Sequence, residues 1–227
     1  MEYNDIIQKL KSLSDPEAVK GMARFGINPE NTYGISIPTL RKMAKETGVD
    51  RNLAQRLWAS NIHEARILAS MIDDPKLVTK AQMDAWVNDF DSWDVCDQCI
   101  MNLFEKIKIA YKKAVEWSAH DEEFTKRAGF VLMARLAVSD KKAEDTHFER
   151  FLPILEREST DNRNLVKKAV NWALRQIGKR NLNLNKMAIK AAEGIQQIDS
   201  KSAKWIASDA IRELTSDAVK QRLSKKK

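Results

Sequence analysis

The sequence predicts an all-α protein, and three observations carry that prediction. Only seven Gly and five Pro interrupt 227 residues. Ala, Leu, Lys, Arg, Glu, Gln and Met, which favour helix, are abundant. Apolar residues recur at helical spacing almost end to end, with no convincing run of the period-two alternation that marks a strand.

Taken in order, helices are expected near 3–13, 15–24, 38–47, 51–60, 62–72, 75–88, 92–105, 108–119, 122–138, 143–158, 162–178, 183–195, 199–213 and 216–224. Asp15-Pro16 and Asp74-Pro75 each place an N-cap candidate before a proline suited to a first helical turn. Ile37-Pro38 opens another helix. The longest irregular stretch is 26–37, where Gly26, Pro29 and Gly34 alternate with Asn28, Asn31 and Thr32. No interdomain linker is evident. A single domain is expected over 1–222, followed by a basic tail at 223–227.

The helices come in pairs with a weak internal repeat. Phe124-Thr125-Lys126-Arg127-Ala128 aligns with Leu165-Val166-Lys167-Lys168-Ala169 at an offset of 41 residues. His63-Glu64-Ala65-Arg66 reads as an earlier, degenerate copy. Two-helix repeats of about 40 residues mark HEAT or armadillo-type α-solenoids, which curve and present a concave face. A plain antiparallel bundle is the alternative. In a solenoid the equivalent Arg127 and Lys168 would line up, and a row of cations can track a phosphate backbone along a basic groove. Two solvated surface charges would give the same pattern.

The charge balance points the same way. A net charge of +7 and a pI near 9.3 suit a nucleic-acid or anionic-membrane partner. No apolar run approaches the ~20 residues that cross a bilayer. No secretory signal layout opens the chain, so a cytoplasmic protein is expected. The two cysteines form one C-x-x-C, Cys96 to Cys99, with no strands for a redox fold. The three histidines, 63, 120 and 147, are too scattered to complete a zinc site. Both cysteines are therefore expected in the core, with redox sensing as a minor alternative and no metal.

One segment carries the chemistry. Trp93 and Asp97 stand one helical turn apart. With Val95, Cys96, Cys99, Ile100, Leu103 and Phe104 as the buried stripe, that pair falls at its edge. A carboxylate beside an indole there is partly desolvated yet reachable, which suits a cationic ligand, or simply a helix cap. Asp94, about 100° around the helix, reads as a cap or surface residue. Further along, Trp172 lies four residues after Lys168 and three before Arg175, so the three share a face. Cations and an aromatic on one face are common where nucleic acid binds. Trp58, Trp86, Trp117 and Trp205 are read as packing residues.

These motifs resemble the AlkD-type DNA alkylation repair family, HEAT-like DNA glycosylases. Trp93-Asp94-Val95-Cys96-Asp97 is similar to the family's W-D-x-x-D. Lys126-Arg127-Ala128 is similar to its Q-R-A, and 168–175 to its K-A-I-G-W-V-L-R. Met22-Ala23-Arg24-Phe25 is similar to M-A-R-Y, followed by Pro38-Thr39-Leu40-Arg41. The resemblance runs over nearly the whole chain in the right order. It implies a concave groove that binds alkylated duplex DNA and excises cationic bases such as 3-methyladenine and 7-methylguanine. By position it makes Asp97 the catalytic carboxylate, flanks the lesion's sugar with Trp93 and Trp172, and gives the DNA backbone to Arg127. Lys168, Arg175 and Phe25 are carried as further DNA contacts. Phe25 stands where the family has Tyr, so any hydroxyl contact from that position is lost.

The implied chemistry is self-consistent. An alkylated purine is already cationic and leaves as a neutral base without an acid. The sugar becomes oxocarbenium-like, and a fixed carboxylate stabilises its charge and orients water. Two indole faces add cation–π stabilisation. No Schiff-base lysine is indicated, so strand nicking is not expected, nor is any cofactor. A monomer is assumed. A non-catalytic DNA-binding solenoid and a HEAT-like protein–protein scaffold are the competing readings.

Overall fold

The computed structural model describes residues 1–225 and is all-helical, with fifteen α-helices among those residues. Two compact units divide the chain, Met1–Ile107 and Lys108–Lys227.

In the first unit the helices are α1 (Tyr3–Ser12), α2 (Pro16–Arg24), α3 (Ile37–Thr47), α4 (Arg51–Ala59), α5 (His63–Ile72), α6 (Lys80–Asn88) and α7 (Trp93–Asn102). A 3-10 turn, Phe104–Lys106, follows α7. The expected cap holds at α2, where the Asp15 carboxylate accepts from the amides of Glu17 and Ala18, both at 3.0 Å, with Pro16 in the first turn. It fails at α6. Asp74 instead closes a turn by accepting from the Lys76 amide at 2.9 Å. The helix begins five residues later, capped by Thr79, whose hydroxyl accepts from Gln82 N at 3.1 Å.

The centre of this unit is α5, packed by α3, α4 and α7 and touched by α1. Every residue of α5 but Met71 is buried. A helix covered all round is normally apolar, yet the first turn of α5 carries His63, Glu64 and Arg66. Each is directed at a different segment, and those contacts position the candidate site below. Trp58 and Trp86 stack with centroids 3.9 Å apart and planes 3° apart, and both are buried, as packing residues should be.

The second unit holds α8 (Ala110–Ser118), α9 (Glu123–Ser139), α10 (Asp145–Glu149), α11 (Leu152–Arg157), α12 (Asn164–Gly178), α13 (Leu182–Gln196), α14 (Lys201–Leu214) and α15 (Asp217–Ser224). The long helices α9 and α12 pack on each other and begin 41 residues apart, the offset of the internal repeat. One helix was expected over 143–158. Two short ones form instead, because Pro153 occupies the first turn of α11 and cannot donate into a continuous helix. The basic tail expected at 223–227 is helical to Ser224, with Leu223 buried, and Lys226 and Lys227 lie outside the described residues.

The α8–α9 contact depends on one glycine. A Cβ at Gly129 would stand 2.4 Å from Ser118 N and 2.9 Å from Ala114 O. Backbone cannot rotate away as a side chain can. Gly129→Ala is expected to destabilise the fold by about 1–3 kcal/mol through overpacking, towards the upper end because the clash is with main chain. A fall in the urea midpoint measures it, and an unchanged midpoint would show that α8 and α9 can part freely.

Candidate active site and nucleic-acid interface

In the first unit the site is built around the N-terminus of α7. Ser92 is the N-cap and is fully buried, and its hydroxyl accepts from Asn28 N at 2.9 Å. Trp93 follows, half-buried, and its indole Nε1–H donates to the Phe25 carbonyl at 3.0 Å. The end of α2 is thereby tied to the start of α7. Phe25 itself is 76% exposed, so its ring is presented to solvent while its carbonyl fixes the indole. Asp97, one turn on from Trp93, is 9% exposed. Val95, Cys96, Cys99, Ile100, Leu103 and Phe104 are all buried, as the stripe required. The carboxylate sits at the stripe's edge with little of its surface in water, where charge–charge attraction is less screened.

Asp94 is more than the surface or cap residue expected. One oxygen accepts from Val95 N at 3.0 Å, and the other pairs with His63 Nε2 at 2.9 Å. His63 is buried at the start of α5. Burial pushes its pKa down, but the Asp94 hydrogen bond and charge, with Glu64 and Asp91 behind them, outweigh burial and raise it. Arg66 of the same turn donates to the Asp89 carbonyl at 3.0 Å and comes within 3.9 Å of Asp91. Glu64, fully buried, accepts from the amides of Tyr33, Gly34 and Ile35 at 2.7–3.1 Å. Sequence reasoning missed this framework. Its one visible trace was a charged H-E-A-R at the head of an otherwise apolar helix.

The His63–Asp94 pair predicts a pH dependence. A raised folded pKa contributes stability that is complete below the unfolded value of 6.5 and is lost as pH rises through the higher folded value. Melting temperature should therefore fall between about pH 6 and 8 by more in the wild type than in Asp94→Asn. Parallel profiles would remove the pair as the cause.

The C-x-x-C falls in the core. Cys96 and Cys99 are both buried and are not joined in a disulfide. Burial first, then the neighbouring Cys96 and Asp73, push the Cys99 thiol well above its ordinary value. Such a thiol is a poor nucleophile.

In the second unit the carried-over residues differ from one another. Arg127 is 6% exposed and donates from NH1 to the Leu165 carbonyl at 2.8 Å. Its helix, α9, is flanked by both α8 and α12, so the guanidinium spans to the next helix pair. Lys168, its repeat equivalent, is exposed. The expected row of two exposed cations is thus one exposed cation and one interior one. Arg175 donates to Glu213 at 2.5 Å and lies 3.5 Å from Asp209. Burial raises the Glu213 pKa, but Lys179 and Arg175 overcome it and hold the carboxyl below its ordinary value. Trp172, on the same face, is half-buried. Trp117 is buried as expected, but Trp205 is not the packing residue it was read as. It is 42% exposed, with Lys167 Nζ 5.0 Å from its ring centroid.

Comparison with known proteins gives the family. A family model described as "DNA alkylation repair enzyme" matches residues 6–214. The chain belongs to this DNA alkylation repair enzyme family. A solved structure described as "a new family of proteins related to the HEAT-like repeat DNA glycosylases with affinity for branched DNA structures" superposes with a TM-score of 0.78. Identity is 19%, over 93% of this chain and 95% of that one, so the likeness establishes the HEAT-like repeat fold. A designed armadillo repeat protein in complex with the peptide (KR)4 reaches a TM-score of only 0.40 at 16% identity, over 82% of this chain and 79% of that one. No curated protein matches the sequence. Among the described residues no helix is long and apolar enough to cross a membrane.

Proposed function

We propose that this member of the DNA alkylation repair family is a monofunctional glycosylase that excises cationic N3- or N7-alkylated purines from duplex DNA. The observation that carries the reading is the pair on α7. Asp97 is nearly enclosed one turn after an indole that is itself held by the Phe25 carbonyl. A carboxylate held this way is preorganised for positive charge developing at a sugar carbon. It requires no partner acid, because the alkylated base leaves neutral. Trp93 supplies a π-face to the sugar, and Phe25 an exposed ring beside it.

In the second unit Lys168 takes a phosphate and Trp172 packs on deoxyribose. Arg127 and Arg175 reach the backbone by exchanging internal acceptors for phosphate oxygens. The assay is release of 7-methylguanine or 3-methyladenine from methylated duplex DNA, with Asp97→Asn as the control. Release no greater than that control would end the enzyme reading.

A second reading is DNA binding without excision. One observation favours it: the similar solved structure is described by its affinity for branched DNA. It predicts salt-dependent binding to DNA with the damaged base left in place.

A further inference from the structure

The second unit contains a cavity of about 650 Å³, of whose lining the readings above use only Trp172. Its walls include Trp172 and five cations: Arg135, Lys141, Lys179, Arg180 and Arg222. It lies where the C-terminal part of α9, the loop after it, the end of α12 and α15 meet.

The five cations are not equivalent. Lys179 is paired with Glu213 at 2.6 Å. Arg180 donates to the Ala143 and Ala137 carbonyls at 2.7 and 3.2 Å and lies over the Phe148 ring at 4.3 Å. These two build the wall. Lys141 and Arg222 are exposed at the mouth, and Arg135 is half-buried between. One carboxylate lines the cavity, Asp145, and its oxygens are taken by the side-chain amides of Asn181 at 2.7 Å and Asn183 at 2.9 Å. The charge offered to an occupant is therefore positive.

Size then limits the occupant. The volume is in the range of small-ligand sites, roughly 300–1,000 Å³. A double helix, whose major groove alone is about 12 Å across, does not enter it. The walls combine a flat indole with cations at the rim, the two features by which single-stranded nucleic acid is held: stacking or packing of one nucleotide and neutralisation of its phosphate. The carboxamide of Gln176 is also in the lining, able to meet the polar edge of a base, whereas that of Asn181 is held by Asp145 and the Leu184 amide.

We propose that this cavity binds one unpaired nucleotide of a DNA strand, its phosphate at Lys141 and Arg222 and its base or sugar against Trp172. This goes beyond the glycosylase reading, since it needs no lesion and no chemistry at Asp97. The two therefore fail separately: excision assays test one, and binding of undamaged single strands tests the other.

The test is fluorescence anisotropy of a labelled thymidine oligonucleotide at low salt. Wild type is compared with Lys141→Glu/Arg222→Glu and with a charge-matched control, Lys186→Glu/Lys190→Glu, on the exposed face of α13. The cavity variant should weaken binding by tenfold or more and lower the salt slope by about one to two, as expected for two lost phosphate contacts. The control should change affinity by less than about threefold. Equal losses in the two variants would reduce the effect to net charge and overturn the proposal. Competition with dTMP and with inorganic phosphate separates a nucleotide site from a bare anion cradle. The proposal expects dTMP to displace the oligonucleotide at lower concentration, and expects Trp172→Ala to erase that advantage. Phosphate competing as well as dTMP in the wild type would overturn it, as would binding of duplex but not of single strand.

Discussion

Asp97→Asn should lower release of 7-methylguanine from methylated duplex DNA by about 100- to 1,000-fold while leaving DNA affinity within a few-fold of wild type. The estimate follows from what the substitution removes. Asn keeps the shape and the burial but carries no charge. Removing one preorganised electrostatic group from a water-poor site costs about 2.7–4 kcal/mol of transition-state stabilisation. Asp97 qualifies because little of it reaches solvent and because the indole one turn before it is fixed by the Phe25 carbonyl. Binding is expected to persist because the ground-state duplex is anionic, and its contacts are assigned to cations such as Lys168. Kinetics under single-turnover conditions measure the chemical step apart from product release. A rate within threefold of wild type, with the variant folded by circular dichroism, would remove Asp97 from the reaction. Equal loss of binding and of rate would instead make it a structural residue.

The sequence made the helical architecture legible because its signals are local. Apolar spacing and Asp15 before Pro16 each act within a turn or two, the 41-residue offset is one such local pattern met twice, and α2, α9 and α12 start where they indicate. The misplacements arose where two local signals competed. Asp74-Pro75 and Thr79 both offer a cap, and the structure spends the first on a turn and the second on α6. Pro153 splits a stretch whose apolar spacing read as continuous. The site was legible in part for the same reason. Trp93, Asp97 and the buried stripe share one helix, so periodicity alone placed the carboxylate at the stripe's edge. Residues whose partners lie 30 or more positions away were not legible. Periodicity gives Arg127 and Lys168 equivalent faces, but only the packing of α12 against α9 turns the guanidinium of Arg127 towards Leu165. The same holds for Arg175 and Glu213, and for His63 and Asp94.

The long-range contact with the largest consequence for stability is Glu64. Its carboxylate, with no exposed surface, accepts from three consecutive amides, Tyr33, Gly34 and Ile35. Gly34 cannot be replaced to compensate, since it sits at φ +79° and a Cβ would stand 2.5 Å from the Asp15 carbonyl oxygen. Glu64→Ala would leave three amide donors facing a small void. An unsatisfied buried donor costs about 1–3 kcal/mol, and partial entry of water into the void offsets some of that. The expected loss is about 3–5 kcal/mol, a large part of the stability of an ordinary domain. Glu64→Gln preserves volume but aims an amide donor or a weaker, uncharged acceptor at the same three groups, so it should recover less than half of the loss. Chemical denaturation followed by circular dichroism gives both values. The effect should also reach the site, because the segment that Glu64 clamps continues into Asn28, which bonds the Ser92 cap of α7, and Phe25, which bonds Trp93. Protease cleavage within 26–37 should accelerate in Glu64→Ala well below the temperature of global unfolding. A variant that lost stability while that segment stayed protected would show that the clamp acts on α5 alone and that the loop holds the indole without it.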